Sequence, residues 1–383
     1  NICRNLWQRK VKKAISPFSL SPIIQTGFSL PACGRKECNY GKNRCEIHDA
    51  GRIAAVHGGI GRTEIPCQTD FDWLHQKQVD TFAEMTNLSQ KLRERLEQEA
   101  KIGGVEMVER LLSKEDGTRK YLFALENGSI IESVLMQYDY GNTVCVSTQA
   151  GCRMGCKFCA STLDGVERSL TPAEMLSQVY TIQKDLGQRI SGVVLMGSGE
   201  PLDNYDNVLR FIHLLNDPAG QNMGQRHITL STCGLIEKMY RLAEENLQIT
   251  LAVSLHAPND EIRREIMPVA KANPMEKLLA ACVDYANHTK RRITFEYAMI
   301  QGVNDSDACA RELADKLRHT LCHVNLIPMN PVKERNFTKS STDRVQRFAH
   351  LLQEHGVETT IRRRLGSDID AACGQLRRKY MQK

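Results

Sequence analysis

From Val144 onward, short apolar runs alternate with longer segments whose apolar residues recur every three or four positions. That alternation is the pattern of βαβ units on a parallel sheet. It predicts strands at Val144–Thr148, Gly192–Met196, His227–Ser231, Thr250–Ser254, Ile293–Met299 and Val324–Ile327. Between them it predicts helices at Pro172–Leu186, Tyr205–Asn216, Ile236–Glu244, Met275–Asn287 and Asp307–Arg318. A last helix is expected over Thr342–His355, then a returning strand over Glu358–Arg363. Thr171 before Pro172, with Glu174 three residues on, marks a helix start. Six units are too few for an eight-fold barrel, so the expected fold is α/β, a partial (β/α)6 barrel.

Upstream the periodicity changes. Trp73, Leu74, Val79, Phe82 and Met85 recur at helical spacing, and Asn87 to Glu99 reads as a charged amphipathic helix. Thr118–Leu125 and Ser129–Met136 read as strands joined at the hairpin turn Asn127-Gly128. Residues 71–140 are thus an accessory helical region with a β-hairpin, and 141–383 the barrel. Residues 1–70 follow neither pattern, because Gly, Pro and Ser interrupt every periodic run. Cys33, Cys38, Cys45 and His48 match no common zinc-finger spacing.

Composition changes this picture little. A chain of 383 residues can bury a large core. It has no apolar run of the ~18 residues a membrane helix needs, and no secretory h-region is read at its N-terminus. The 14 cysteines fit a reducing cytoplasm better than a disulfide framework. Residues 1–70 carry eleven Lys/Arg against five Asp/Glu, which accounts for the whole net charge of +6. Any grip on a polyanion must therefore come from local patches such as Lys290-Arg291-Arg292, Arg362-Arg363-Arg364 or Arg377-Arg378-Lys379, which are otherwise ordinary solvated faces.

The chemistry concentrates after the first barrel strand. Cys152, Cys156 and Cys159 stand at C-x3-C-x2-C spacing, with Phe158 positioned to shield what they bind. Three thiolates with an open fourth position suit an iron–sulfur cluster with one exposed iron, or a zinc ion that borrows a ligand elsewhere. Functional residues of βα barrels lie at the C-terminal ends of the strands. There the second strand offers Gly197 to Leu202, the third Ser231, the fourth Ser254 to His256, and the sixth Asn330. Cys233, Cys282, Cys309 and Cys322 are expected to be buried free thiols.

The cysteine spacing resembles the radical S-adenosylmethionine (SAM) superfamily. The stretches Gly199-Glu200-Pro201-Leu202, Ser254 to Asp260 and Asp368 to Leu376 resemble the RlmN/Cfr family of RNA adenine methyltransferases, from about Phe71 to the end of the chain. The resemblance implies a [4Fe-4S] cluster on Cys152, Cys156 and Cys159, and SAM held by Gly199, Glu200, Ser231, Ser254, Leu255, His256 and Asn330. It implies that Cys373 carries the methyl group, Cys145 resolves the adduct through a transient disulfide, and Glu132 accepts a proton. It implies methylation of adenosine C2 in 23S rRNA, with tRNA as a further substrate. An electron donor such as flavodoxin or ferredoxin, a monomer and a cytoplasmic location go with it. A C8 methyltransferase conferring antibiotic resistance is the alternative, against which Pro201 speaks, because the C8 group tends to carry Ala there. A non-catalytic iron–sulfur RNA-binding protein would have no need of Cys145, Cys373 and Glu132.

Two departures stand out. Ser198 occupies a position where family members often have Met, a change expected to loosen packing without removing a ligand. Family members also carry a small helical N-terminal domain ending in a stretch like Gly-Glu-x-Lys-Tyr-Arg-Ala-Lys-Gln-Ile-Phe. Codons for Gly59 to Phe71 can be chosen whose shifted frame reads Glu-Ser-Gly-Glu-Gln-Lys-Tyr-Arg-Ala-Lys-Gln-Ile. The segment up to about Asp70 is therefore expected to be an out-of-frame translation.

Overall fold

The computed structural model describes residues 45–46, 67–330, 332, 334–369, 376–377 and 380, all within the unit Arg44–Lys383. Most of residues 1–70, on which the out-of-frame expectation falls, Cys33, Cys38 and His48 of the four-residue group, and Cys373 lie outside the described residues. The first elements among the described residues are β1 (Cys45–Glu46), α1 (Cys67–His75), α2 (Gln90–Glu99) and β2 (Ala100–Lys101). A meander follows, of β3 (Glu106–Leu112), β4 (Arg119–Ala124) and β5 (Ile130–Tyr138). Then come β6 (Gly141–Cys145), β7 (Gln149–Gly151), β8 (Val166–Ser169), α3 (Pro172–Leu186), β9 (Gly192–Leu195) and α4 (Tyr205–Asn216). Next are β10 (Ile228–Thr232), α5 (Ile236–Glu244), β11 (Thr250–Ser254), α6 (Asp260–Ile266), α7 (Met275–Thr289) and β12 (Ile293–Met299). The last are α8 (Asp307–Leu317), β13 (Cys322–Pro328), α9 (Thr342–Glu354) and β14 (Thr359–Ile361).

Among the described residues ten strands form one sheet in the order β14-β13-β12-β11-β10-β9-β6-β5-β4-β3. Every neighbouring pair from β6 to β14 is parallel, and β3 to β6 pair antiparallel. Val144 lies opposite Val193, Leu230 opposite Leu251, and Phe295 opposite Val324, so their apolar side chains meet in register within one continuous core. Helices cover the sheet with apolar faces; α3 buries Met175, Leu176, Val179 and Ile182. Its start is a capping box in which Thr171 Oγ1 accepts from Glu174 N and a Glu174 carboxylate oxygen accepts from Thr171 N, and it ends at Gly187 in the left-handed conformation.

The partial barrel and its returning strand are the predicted ones, and two local features differ from the sequence reading. The first barrel strand begins at Gly141 and ends at Cys145, because the chain then leaves the sheet to form the β7–β8 hairpin. The seventh parallel strand is β14, the returning strand, added at the edge beside β13. β3 was not expected and extends the Asn127-Gly128 hairpin into a three-stranded meander. Beyond β14 the chain crosses to the turn before β4. Gly366 N donates to Asp116 Oδ2 (2.8 Å), Lys114 N donates to Asp368 Oδ2 (2.9 Å), and Ser367 Oγ donates to Glu115 Oε2 (2.6 Å). No helix among the described residues is long and apolar enough to cross a membrane.

Candidate active site

The β7–β8 hairpin sets the cysteine loop over the C-terminal end of the parallel strands. Cys152 N donates to Gly165 O (2.8 Å), Cys159 N to Cys156 O (3.1 Å), and Thr162 Oγ1 to the carbonyls of Cys156 and Cys159, which folds the loop back on itself. Cys152, Cys156 and Cys159 line a cavity of about 290 Å³, together with Gly199, Glu200, Ser231, Ser254, His256 and Asn330. Six residues from four strand ends therefore converge with the loop, as their positions after successive strands predicted. Leu255 does not line the cavity: its side chain is fully buried in the core, and its backbone N–H donates to Glu296 O (3.1 Å). Cys233, Cys282, Cys309 and Cys322 are buried free thiols, as expected, although Cys233 also lines the cavity.

Glu200 ties two strand ends together. Its Oε1 accepts from Leu202 N (3.0 Å) and its Oε2 from Cys233 N (2.7 Å). Burial pushes the carboxyl up against these donors, which leaves a desolvated acceptor facing the cavity and suited to an ammonium group. Gly199 is held at φ +107°, and a Cβ there would come within 2.7 Å of Gln149, so no larger residue fits. Ser198 does not face the cavity; its hydroxyl meets Ser161 Oγ at 3.1 Å in the buried interior.

His256 adopts φ +57°, an uncommon conformation for a residue with a Cβ. Asn304 pins it there by donating from Nδ2 to His256 O (2.7 Å), while Ala298 N donates to His256 Nδ1 (2.9 Å). Phe158 packs edge-on against the ring at 5.0 Å between centroids, which shields this side of the cavity. Burial, with Arg263 adding to it, pushes the imidazole down to about 3. An unfolded histidine titrates near 6.5, so the folded state gains stability above that pH and loses it as the pH falls toward 3. Lowering the pH by 1.5 units below 6.5 should cost the apoprotein about 2 kcal/mol. Urea titrations should show that slope, and His256→Asn should flatten it.

Several residues of the site were not found from the sequence. Arg263 on α6 is fully buried and donates to four backbone carbonyls: Leu255 O (3.3 Å), Asn273 O (3.1 Å), Cys233 O (2.8 Å) and Ser254 O (3.4 Å). It clamps the ends of β10 and β11. Glu296 on β12 also lines the cavity, as does Arg362 after β14, which the sequence offered only as part of a basic patch, and Asn325 Nδ2 donates to both Glu296 carboxylate oxygens. A charged residue inside an otherwise apolar strand, as in Ile293–Met299, is the signal that could have marked Glu296.

The second group of predicted residues lies on the face of β4–β6 beyond this cavity. Cys145 is opposite Val134, and Glu132, two residues earlier on β5, shares that face. Cys145 packs with Val134 and Met136, and Met196 touches this cluster while also lining the cavity. Leu376, three residues beyond Cys373, packs on Leu122 and Ile130, and the backbone N–H of Arg377 donates to Glu132 Oε1. Leu376 and Arg377 are thus held beside Glu132.

Known proteins fit this geometry. The description "Radical SAM superfamily" matches residues 146–317, and "Ribosomal RNA large subunit methyltransferase N-terminal domain" matches 67–102. A protein of Lachnospira eligens named "Probable dual-specificity RNA methyltransferase RlmN" is 51% identical over 330 residues, which are 86% of this chain and 94% of the relative. One of Clostridium novyi with the same name is 55% identical over 311 residues, 81% of this chain and 91% of the relative. The chain belongs to the RlmN family. The crystal structure of a radical SAM methyltransferase from Sphaerobacter thermophilus covers 87% of this chain and 99% of its own, at 40% identity and TM-score 0.83. Membership makes the chain a radical SAM methyltransferase and implies a [4Fe-4S] cluster and SAM. The residues fit such a group. Among the described residues no set of metal-binding side chains closes tightly enough to hold a single ion. Three thiols spread along one cavity wall instead suit a multi-iron cluster that fills the space between them.

Proposed function

We propose that this chain methylates C2 of adenosine in 23S rRNA, and in tRNA, through a methyl group carried on Cys373. One observation supports the reading above the others: Cys145 and Glu132 share a sheet face with Leu376 and Arg377, next to the cavity lined by three thiols. C2 is an electron-poor carbon with no lone pair to attack a sulfonium methyl, so polar transfer fails. Cys152, Cys156 and Cys159 would hold the cluster, and Gly199, Glu200, Ser231, Ser254, His256 and Asn330 would surround SAM. Once bound, the cluster would supply the electron that splits SAM to a 5′-deoxyadenosyl radical, and would be the acceptor for the one electron the closing adduct gives up.

The chain's own residues do the rest. The Cys373 thiolate takes a methyl group from one SAM; that methyl then loses a hydrogen atom, and its carbon bonds to C2. Glu132 accepts the proton that leaves C2. The Cys145 thiolate attacks the Cys373 sulfur, breaks its bond to the transferred carbon and leaves a Cys145–Cys373 disulfide, while the released carbon takes a proton to complete the methyl group. The turnover calls for an external electron donor such as flavodoxin or ferredoxin, and a monomer in the cytoplasm suffices for it.

Pro201 favours C2 over C8. Complementing a knockout strain with this chain and analysing its 23S rRNA by mass spectrometry should give 2-methyladenosine; methylation at C8 instead would overturn the assignment. The same strain should carry a second gene copy whose reading frame ahead of Phe71 is shifted to encode the family-like peptide. If residues 1–70 are out of frame, the repaired copy gives more RNA methylation at equal SAM cleavage.

A further inference from the structure

Lys120 is fully buried on β4, with 0% of its side chain exposed. An ammonium group is strongly disfavoured inside a protein unless its charge is answered there. Its Nζ lies 3.3 Å from Oε2 of Glu132, itself only 4% exposed. The sheet register explains the meeting. Lys120 is opposite Val134 on β5, and Val134 is opposite Cys145 on β6, so Lys120 and Cys145 occupy one row of the same face. Glu132 stands in the next row, opposite Leu122.

The carboxylate is thereby gripped from two sides. Lys120 holds Oε2, and the backbone N–H of Arg377 donates to Oε1. The Arg377 guanidinium turns away to pair with Glu167 on β8, so it does not compete for Glu132 through its side chain. A carboxylate that must take a proton from a carbon atom needs a fixed oxygen beside the adduct, and a long side chain on a strand has rotamers to lose.

From this arrangement we propose that Lys120 is a positioning residue for methyl transfer to RNA. It holds the Glu132 carboxylate by charge in the row next to Cys145, and so sets the step in which the proton leaves the RNA adduct. It has no part in methylating Cys373 or in cleaving SAM. The proposal rests on the reading of Glu132 as the proton acceptor.

The test uses the cluster-loaded enzyme, SAM, a chemical reductant and an rRNA transcript, with Lys120→Met, Lys120→Gln, Lys120→Arg and Glu132→Gln compared with the parent. Four quantities are read: 5′-deoxyadenosine, methyl on Cys373 by peptide mass, methylated RNA, and protein–RNA adduct that survives denaturing gels. Loss of one charged hydrogen bond at the proton-transfer step should cut methylated RNA by roughly tenfold or more. Lys120→Met and Lys120→Gln should do this with Cys373 methylation and 5′-deoxyadenosine within about twofold of the parent, and should accumulate the adduct, as Glu132→Gln should. Lys120→Arg, which keeps the charge, should restore most of the product.

A purely structural role predicts otherwise. If all four quantities fall together in the Met and Gln variants, or if Arg rescues no better than Met, the proposal fails. Full RNA methylation by the Met or Gln variant while Glu132→Gln is impaired sinks the role of Lys120 alone. Full methylation by Glu132→Gln sinks the reading of Glu132, and the proposal with it.

Discussion

Arg263→Met should unfold this protein roughly 5 °C below the parent chain in a thermal melt. The guanidinium is fully buried and donates to the carbonyls of Cys233, Ser254, Leu255 and Asn273. Methionine fills a similar volume but donates nothing, so four buried carbonyls lose a charged donor at once. Each unsatisfied buried acceptor costs about 1–3 kcal/mol, and partial relaxation brings the total to about 3–5 kcal/mol. The damage should also be local. The same clamp fixes the turn that presents Cys233 N to Glu200 and the carbonyl of Ser254, so SAM affinity should fall further than stability alone explains. Arg263→Lys should recover part of the melting temperature, since an ammonium group reaches fewer of the four carbonyls. A melt within 2 °C of the parent would show that water replaces the guanidinium at no cost.

The second large effect is chemical. Cys373→Ala should reduce RNA methylation by roughly 10⁴-fold or more, because it removes the group proposed to carry the methyl. Cys145, the other thiol assigned to the reaction, is buried with Val134 and Met136 on β5–β6, so it is already committed to a different position. The variant should still bind iron, because none of Cys152, Cys156 and Cys159 is touched. Iron content and a visible spectrum of anaerobically purified protein check that half, and methyl incorporation into an rRNA transcript checks the other. Undiminished methylation would eliminate the covalent route.

The barrel was legible because its strands and helices obey different periods and each boundary carries its own chemistry. Thr171 and Glu174 form the expected capping box, Gly128 takes the left-handed conformation the hairpin turn needs, and Gly187 closes α3. β3 was not legible. Its sequence, Glu106 to Leu112, is rich in residues that favour helices, and it becomes a strand because β4 offers a paired edge, a long-range effect that overrides local preference. The site divides the same way. Cys152, Glu200, Ser231, Ser254 and Asn330 lie just after strands or at their last residues, where the barrel's geometry sends them to one cavity. Arg263, Glu296 and Lys120 act through what they meet in space, and a local pattern carries no record of that.

The fastening of residues 366–368 to residues 114–116 joins positions some 250 apart in sequence. Loop closure of that length adds only a logarithmic entropy cost, yet it must follow the assembly of everything between. This fastening is made by polar bonds to a single turn rather than by the apolar core of the barrel. Polar bonds to one turn are also the kind that open without global unfolding. Hydrogen exchange should accordingly be faster at Gly366 than at any amide of β10 or β11, and the fastening should open while the core stays folded.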